Sequence, residues 1–239
     1  MTLRPARGTL AAMVRPTPLE TILFDLDGTL VDSTDLIAAS WRHTMKAHFE
    51  DPPPDEVWLS TLGQPLRTQL GYLVDSAEEV QAMVETYIDH NFREHERLIR
   101  SFPGVRETVV RLREEGVRLG VVTSKASAGT ARSLAACALD QALFDVIVTS
   151  DEPVPHKPDP APIRLALERL EAPAETAAYV GDSVWDMRAG HAAGVTTIAA
   201  LWGPFSEREL VIERPHIMLD AIGDLLRYAA SSQQSRSPA

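Results

Sequence analysis

The sequence predicts a doubly wound α/β fold, a parallel sheet between two layers of helices, carrying an inserted helical unit near its start. Three observations predict it. Short apolar runs recur at residues 20–26, 117–123, 144–149, 177–181 and 195–201, the pattern of strands buried on both faces. Helical patterns at 104–115, 127–139, 160–171 and 184–193 alternate with them, and such alternation gives parallel strands joined by right-handed crossovers. About 70 residues are interposed after the first run, too many for a loop and enough for a small domain.

The first run, Glu20 to Leu26, is stopped by Asp27-Gly28, a tight-turn pair. A helix is expected over 34–49, ended by Pro52, Pro53 and Pro54. Val80, Val84, Tyr87, Ile88 and Phe92 recur at helical spacing, which predicts a long amphipathic helix with its charges on the other face. Residues 33–101 are therefore read as a helical bundle planted on a core made of 19–32 and 102–229. The two connections, near Asp32-Ser33 and Ser101 to Gly104, lie where a hinge would act. Pro103-Gly104, Gly116 and Pro173 punctuate the later elements. Residues 1–18 are expected to be a disordered leader: they hold Pro5, Pro16 and Pro18, and their apolar run from Leu10 to Val14 is too short for a secretion signal. Residues 230–239, rich in Ser and Gln, are expected to be a disordered tail.

Composition bounds the function. With 239 residues, 44% apolar and 24% charged, the chain has the make-up of a globular protein able to bury a core of its own. A net charge of −11 denies it the broad positive field that nucleic acids or anionic membranes attract, so neither is expected as a partner. No stretch approaches the roughly 20 apolar residues of a membrane span. Cys137 is the only cysteine, which excludes an internal disulfide and a cysteine-rich zinc site and fits a reducing, cytoplasmic setting. It stands in the apolar stretch Leu134 to Leu139, so a buried structural thiol is expected. The 23 basic residues include only three lysines, Lys46, Lys125 and Lys157.

In a parallel sheet ligands bind beyond the carboxyl ends of the strands, and here those ends are chemically rich. The first ends in Asp25-Leu26-Asp27-Gly28-Thr29, the second in Thr123-Ser124-Lys125, and the fourth in Gly181-Asp182-Ser183-Val184-Trp185-Asp186; after the third comes His156-Lys157-Pro158-Asp159. Carboxylates, a hydroxyl and an ammonium group converging from four loops suit a magnesium ion and a phosphoryl group, because hard oxygens hold the ion and cationic donors hold phosphate. Taken singly, each has a plainer reading. Asp27-Gly28 could be only a turn, Thr123 a strand cap, Lys157 a solvated loop charge and Asp186 an exposed helix-face acid. The ordered set favours chemistry. Lys125 adjoins the set, and its expected place is solvent.

These four motifs, in this order, resemble those of the haloacid dehalogenase superfamily, with a Rossmann-like core. The insert between motifs one and two resembles the helical cap of its phosphoglycolate phosphatase-like branch. Asp35 to His43, His90 to His95 and Phe102 to Val105 are similar to pyrophosphatases of the PpaX type within that branch. The resemblance implies that Asp25 attacks phosphorus to form an aspartyl-phosphate, and that Asp27 protonates the leaving group and then activates water. It implies Mg2+ held by Asp25, the Asp27 carbonyl and Asp182, with Asp186 reaching it through water. Thr123 and the Ser124 amide would hold phosphate oxygens, and Lys157 would bridge nucleophile and transferring group.

Selectivity then belongs to the insert. Gln64 and Arg67, in the turn Gly63 to Arg67, are expected to meet the substrate, with Arg67 gripping a carboxylate or second phosphate. His43 is a further substrate candidate. The expected function is hydrolysis of a small anionic phosphate, phosphoglycolate or inorganic pyrophosphate first, by a monomer or weak homodimer. The alternative is a β-phosphoglucomutase-like phosphotransferase, which shares every core residue. A haloacid dehalogenase would not need Asp27 or Asp182. A phosphonate hydrolase would need a cap lysine, and the surroundings of Lys46, the only one, do not match that family.

Overall fold

The computed structural model describes residues 18–229; the expected leader and tail lie outside the described residues, apart from Pro18. Strand β1 (Thr21–Phe24) is followed by β2 (Val31–Asp32) and then by four helices, α1 (Thr34–His48), α2 (Asp55–Leu59), α3 (Leu66–Gly71) and α4 (Ala77–Leu98). The chain returns through β3 (Arg100–Ser101) into α5 (Val105–Glu114), β4 (Arg118–Val122), α6 (Ser127–Ala136) and β5 (Val146–Val148). It finishes with α7 (Ala161–Arg169), β6 (Ala177–Gly181), α8 (Val184–Ala193), β7 (Thr196–Ala200), α9 (Glu207–Ile212) and β8 (Ile217–Leu219). Six strands form one parallel sheet in the order β5-β4-β1-β6-β7-β8.

The sheet is buried on both faces, as the near-continuous apolar runs require. Ile22 and Phe24 point into one cluster with Val109, Leu112 and Leu134, while Leu23 points into the opposite cluster with Ile163, Ala166 and Tyr179. That is the period-2 alternation of a strand expressed in the middle of the sheet. The topology places β1 at the centre, between β4 and β6, so the loops after β1, β4 and β6 meet at one edge. Strand β8 was not evident in the sequence: Ile217–Leu219 is only three residues long and pairs with β7 at the sheet edge.

The helices α1–α4 build a separate apolar cluster from Trp41, Met45, Trp58, Leu70, Val80 and Met83. Both chain crossings to this layer are tied together, because β2 and β3 pair antiparallel with Val31 opposite Ser101 and Asp32 opposite Arg100. Helix α4 departs from its expected stripe. Val80 and Met83 are buried, but further along the buried positions are the polar Asn91 and His95, while Ile88 and Phe92 are 45% and 39% exposed. His95 reaches across to the core, its Nε2 lying 3.2 Å from Ser133 Oγ of α6. The apolar stripe of the later half of α4 therefore faces a cavity and not the helical core.

Candidate active site

The site grows from the main chain of the central strands. The Asp25 amide donates to the Val180 carbonyl at 2.9 Å and the Thr123 amide to the Val148 carbonyl at 2.9 Å, so the last ladder bonds of the sheet fix both residues at its edge. After Asp25 the chain turns at Gly28, whose φ of +82° suits glycine. A Cβ there would also stand 2.4 Å from Asp182 Oδ2, and one on Gly203, after β7, would stand 2.3 Å from Asp182 Cβ. Two glycines from different loops thus clear the space in which Asp182 sits. Thr29 Oγ1 donates to Asp182 Oδ1 at 2.9 Å, which fixes the rotation of that carboxylate.

Lys157 is the hub. Its Nζ lies 3.0 Å from Asp25 Oδ1 and 2.7 Å from Asp186 Oδ1, and donates to the Tyr179 hydroxyl at 2.9 Å. Asp186 is wholly buried, so the plainer reading of it as an exposed helix-face acid is corrected. Helix α8 starts immediately after β6, and its first turn turns Asp186 inward, into a capping box with Ser183. The Ser183 amide and hydroxyl both donate to Asp186 Oδ2, at 3.0 and 2.6 Å. Lys157 is likewise no solvated loop charge, being 4% exposed. Tyr179, which sequence reasoning missed, donates to the Val122 carbonyl at 2.8 Å and so braces the lysine from beneath. Its only signal was a hydroxyl inside the apolar run 177–181.

Lys125 requires a second correction. It does not face solvent: its Nζ donates to both oxygens of Asp27, at 2.8 and 3.1 Å. The scarcity of lysine in this chain was the available pointer, since arginine fills almost every other cationic position. Thr123 Oγ1 accepts from the Lys125 amide at 3.2 Å, and the buried Ser124 hydroxyl has no protein partner.

The electrostatics of the cluster favour a cation. Ligand oxygens of Asp25, Asp182 and Asp186 lie within 4.8 Å of one another. Burial pushes the Asp25 carboxyl up to about 7, with Lys157 pulling it down and Asp186 and Asp27 adding to the rise. Burial, then Asp186 and Asp25, also hold Asp182 well above the usual carboxylate range. For Lys157 burial works against the charge, but Asp186 and Asp25 outweigh it and raise its affinity for the proton. Four carboxylates here face two ammonium groups, so full ionisation leaves a formal excess of two negative charges. Asp25 Oδ1 is buried without a well-directed hydrogen bond, its ammonium neighbour notwithstanding. An all-oxygen set with that charge fits Mg2+. Asp186, already accepting from Lys157 and Ser183, is the least free of the three to ligate directly.

Above this cluster lies a cavity of about 550 Å³ between the strand-end loops and the helical layer, lined by Asp25, Asp27, Thr123, Ser124, Lys125 and Asp182 on the sheet side. Gln64 and Arg67 line it from above. The Gln64 side chain accepts from the Tyr72 hydroxyl at 3.0 Å, and the Arg67 guanidinium donates to Gln81 Oε1. The loop is seated close to the core, since a Cβ on Gly63 would lie 3.1 Å from Ser183 Oγ and from the Trp185 ring. His43, the further substrate candidate, is not among the residues lining this cavity. It is exposed and stacks on His90 at 4.3 Å between ring centroids. Helix phase is the reason: α1 presents Thr34, Ile37 and Trp41 to the cavity, and two residues beyond Trp41 the helix has turned by roughly 200°.

A parallel sheet with buried carboxylates at its central strand ends, an ammonium hub and an inserted helical layer is the arrangement to set beside known families. Residues 22–200 match the family model for haloacid dehalogenase-like hydrolases, and the chain belongs to that family. It is 35% identical over 217 residues to pyrophosphatase PpaX of Bacillus cereus (strain G9842), spanning 91% of this chain and 99% of that protein. To pyrophosphatase PpaX of Bacillus mycoides (strain KBAB4) it is 35% identical over 208 residues, 87% of this chain and 95% of that one. Among solved structures, a hydrolase from Pseudomonas syringae superposes with a TM-score of 0.80 at 26% identity, covering 88% of this chain and all of that chain. A predicted phosphoglycolate phosphatase from Haemophilus somnus 129pt superposes with a TM-score of 0.79 at 25% identity, covering 87% and 97%.

Proposed function

We propose that this chain is a magnesium-dependent phosphatase that hydrolyses a small phosphorylated molecule through a phosphorylated Asp25. The observation that carries the reading is the buried cluster in which Asp25 shares Lys157 with Asp186 while facing the cavity. Magnesium would be held by Asp25, Asp182 and the Asp27 carbonyl, with Asp186 behind them, and would supply charge neutralisation at the phosphoryl oxygens.

Asp25 would attack phosphorus: its carboxyl is buried at the edge of the cavity it lines, and its amide is fixed by the ladder bond. Lys157 holds that carboxylate in place and offsets the negative charge of an incoming phosphate. The Thr123 hydroxyl and the free Ser124 hydroxyl are donors at the same edge. Asp27 stands two residues on, its carboxylate gripped by Lys125 and directed into the cavity, where it can give a proton to the leaving oxygen and later take one from water. Residues 33–101 act as the cap, with Gln64 and Arg67 meeting the leaving group. The names of the relatives support pyrophosphate and phosphoglycolate as reference substrates. No helix of the described residues is long and apolar enough to cross a membrane, and the lone, buried Cys137 supports a cytoplasmic setting.

The test is phosphate release by the full-length protein with and without magnesium. Hydrolysis that EDTA abolishes and magnesium restores is the expected result. Undiminished hydrolysis after chelation, or none on any phosphate ester or anhydride, would overturn the reading.

A further inference from the structure

We infer that the preferred substrate is an organic phosphate monoester whose leaving group carries an aliphatic or aromatic body, in preference to pyrophosphate or phosphoglycolate. The inference rests on the phosphatase reading above and concerns the far wall of the same cavity. That wall is made by Ile37 and Trp41 of α1, Leu66 of α3, and Val84, Ile88 and Phe92 of α4. Val84, Ile88 and Phe92 follow one another at steps of four, so they form one stripe. Ile88 and Phe92 keep 45% and 39% of their surface open on a helix whose other exposed positions are mostly charged or polar.

Charge is distributed just as unevenly. Among the described residues lining the cavity from the helical layer, Arg67 is the one charged side chain, and it is exposed at the rim with a hydrogen bond to Gln81. On the sheet side Lys125 is engaged by Asp27 and Lys157 by Asp25 and Asp186. With one phosphoryl group at Asp25, a second phosphate or a glycolate carboxylate would extend towards the apolar wall. It would lose water there and gain few donors, which is unfavourable. Pyrophosphate has no carbon to set against the wall and phosphoglycolate has a single methylene. An alkyl or aryl body would cover the open stripe, and Thr34, Gln64, Gln69, Tyr87 and Asn91, which also line the cavity from the helical layer, are the polar groups that would orient it. The volume of about 550 Å³ accommodates such a body.

The test uses n-alkyl phosphates from ethyl to hexyl, whose leaving alcohols have nearly constant acidity, alongside pyrophosphate and 2-phosphoglycolate, with magnesium present. Specificity, kcat/KM, should rise by up to about fourfold for each methylene that becomes buried, and the longer esters should overtake both reference substrates. Replacing the two exposed wall residues together, Ile88→Ser with Phe92→Ser, should flatten that rise. A flat series in the wild type, an undiminished rise in the double variant, or pyrophosphate or 2-phosphoglycolate ahead of every alkyl ester would overturn the inference and leave the phosphatase reading standing. Absence of hydrolysis throughout the panel would instead overturn the reading beneath it.

Discussion

On the sheet side of the cavity, Asp25, Asp27, Asp182 and Asp186 are interlocked with Lys125 and Lys157 at the ends of strands that the ladder holds in register. On the helical side, Arg67 is the one charged lining residue among those described, and Ile88 and Phe92 remain open. The first region is over-determined: each carboxylate has its orientation set by a hydrogen bond, an ion pair or a turn. The second is under-filled, with Ile88 and Phe92 partly open and only the Arg132 guanidinium, 4.8 Å from the Phe92 ring centroid, laid against that ring. Chemistry needs preorganised charge, whereas discrimination between leaving groups needs a wall with spare surface to offer.

The comparison is broken most severely on the sheet side. Lys157→Met should cost about 3–5 kcal/mol of stability in denaturant titration, because removing one partner leaves Asp25 and Asp186 buried and unbalanced, and it should abolish measurable turnover. Lys125→Ala should spare folding and lower kcat about ten- to a hundredfold on alkyl esters, a share of what general acid catalysis contributes. The loss should be much smaller on an aryl phosphate with an acidic leaving group, and KM should move little. An equal loss on both esters would remove Lys125 from the orientation of Asp27.

Metal and pH act together on the same region. Without metal, burial pushes the Asp25 carboxyl from its ordinary 3.8 up to about 7 and pushes Asp182 in the same direction. The folded state therefore holds these protons more tightly than the unfolded chain. The stability they contribute is fully present below pH 4 and is lost as pH rises through 7. The Tm of the stripped protein should fall across that interval, and added magnesium should raise Tm more at pH 8 than at pH 5. The smallest effect belongs to the helical side: Arg67→Ala should raise KM by about fivefold or less, the scale of one exposed hydrogen bond. An unchanged KM on the best substrate would take Arg67 out of the binding wall.

Much of the architecture could be read from the chain, because strands buried on both faces leave uninterrupted apolar runs and helices leave periodic ones. The expected helix over 184–193 coincides with α8, and the run at 177–181 with β6. What could not be read depended on contacts distant in sequence. Asp186 was legible as a member of the site, but its ion pair with Lys157, 29 residues away, was not, and Lys125 looked solvated until the fold brought it to Asp27, 98 residues away. The strand β8 escaped for another reason, since three residues at a sheet edge are too short to establish a period. The stripe of α4 was visible as a pattern, but periodicity alone cannot tell a face that meets a core from a face that meets a cavity.

The most direct test of the central claim is acid quench of a magnesium-loaded turnover mixture followed by peptide mass spectrometry. A phosphoryl group on the Asp25 side chain is the expected result, absent from Asp25→Asn together with phosphate release. Phosphate release that persists in Asp25→Asn, or a label on another residue, would contradict the account.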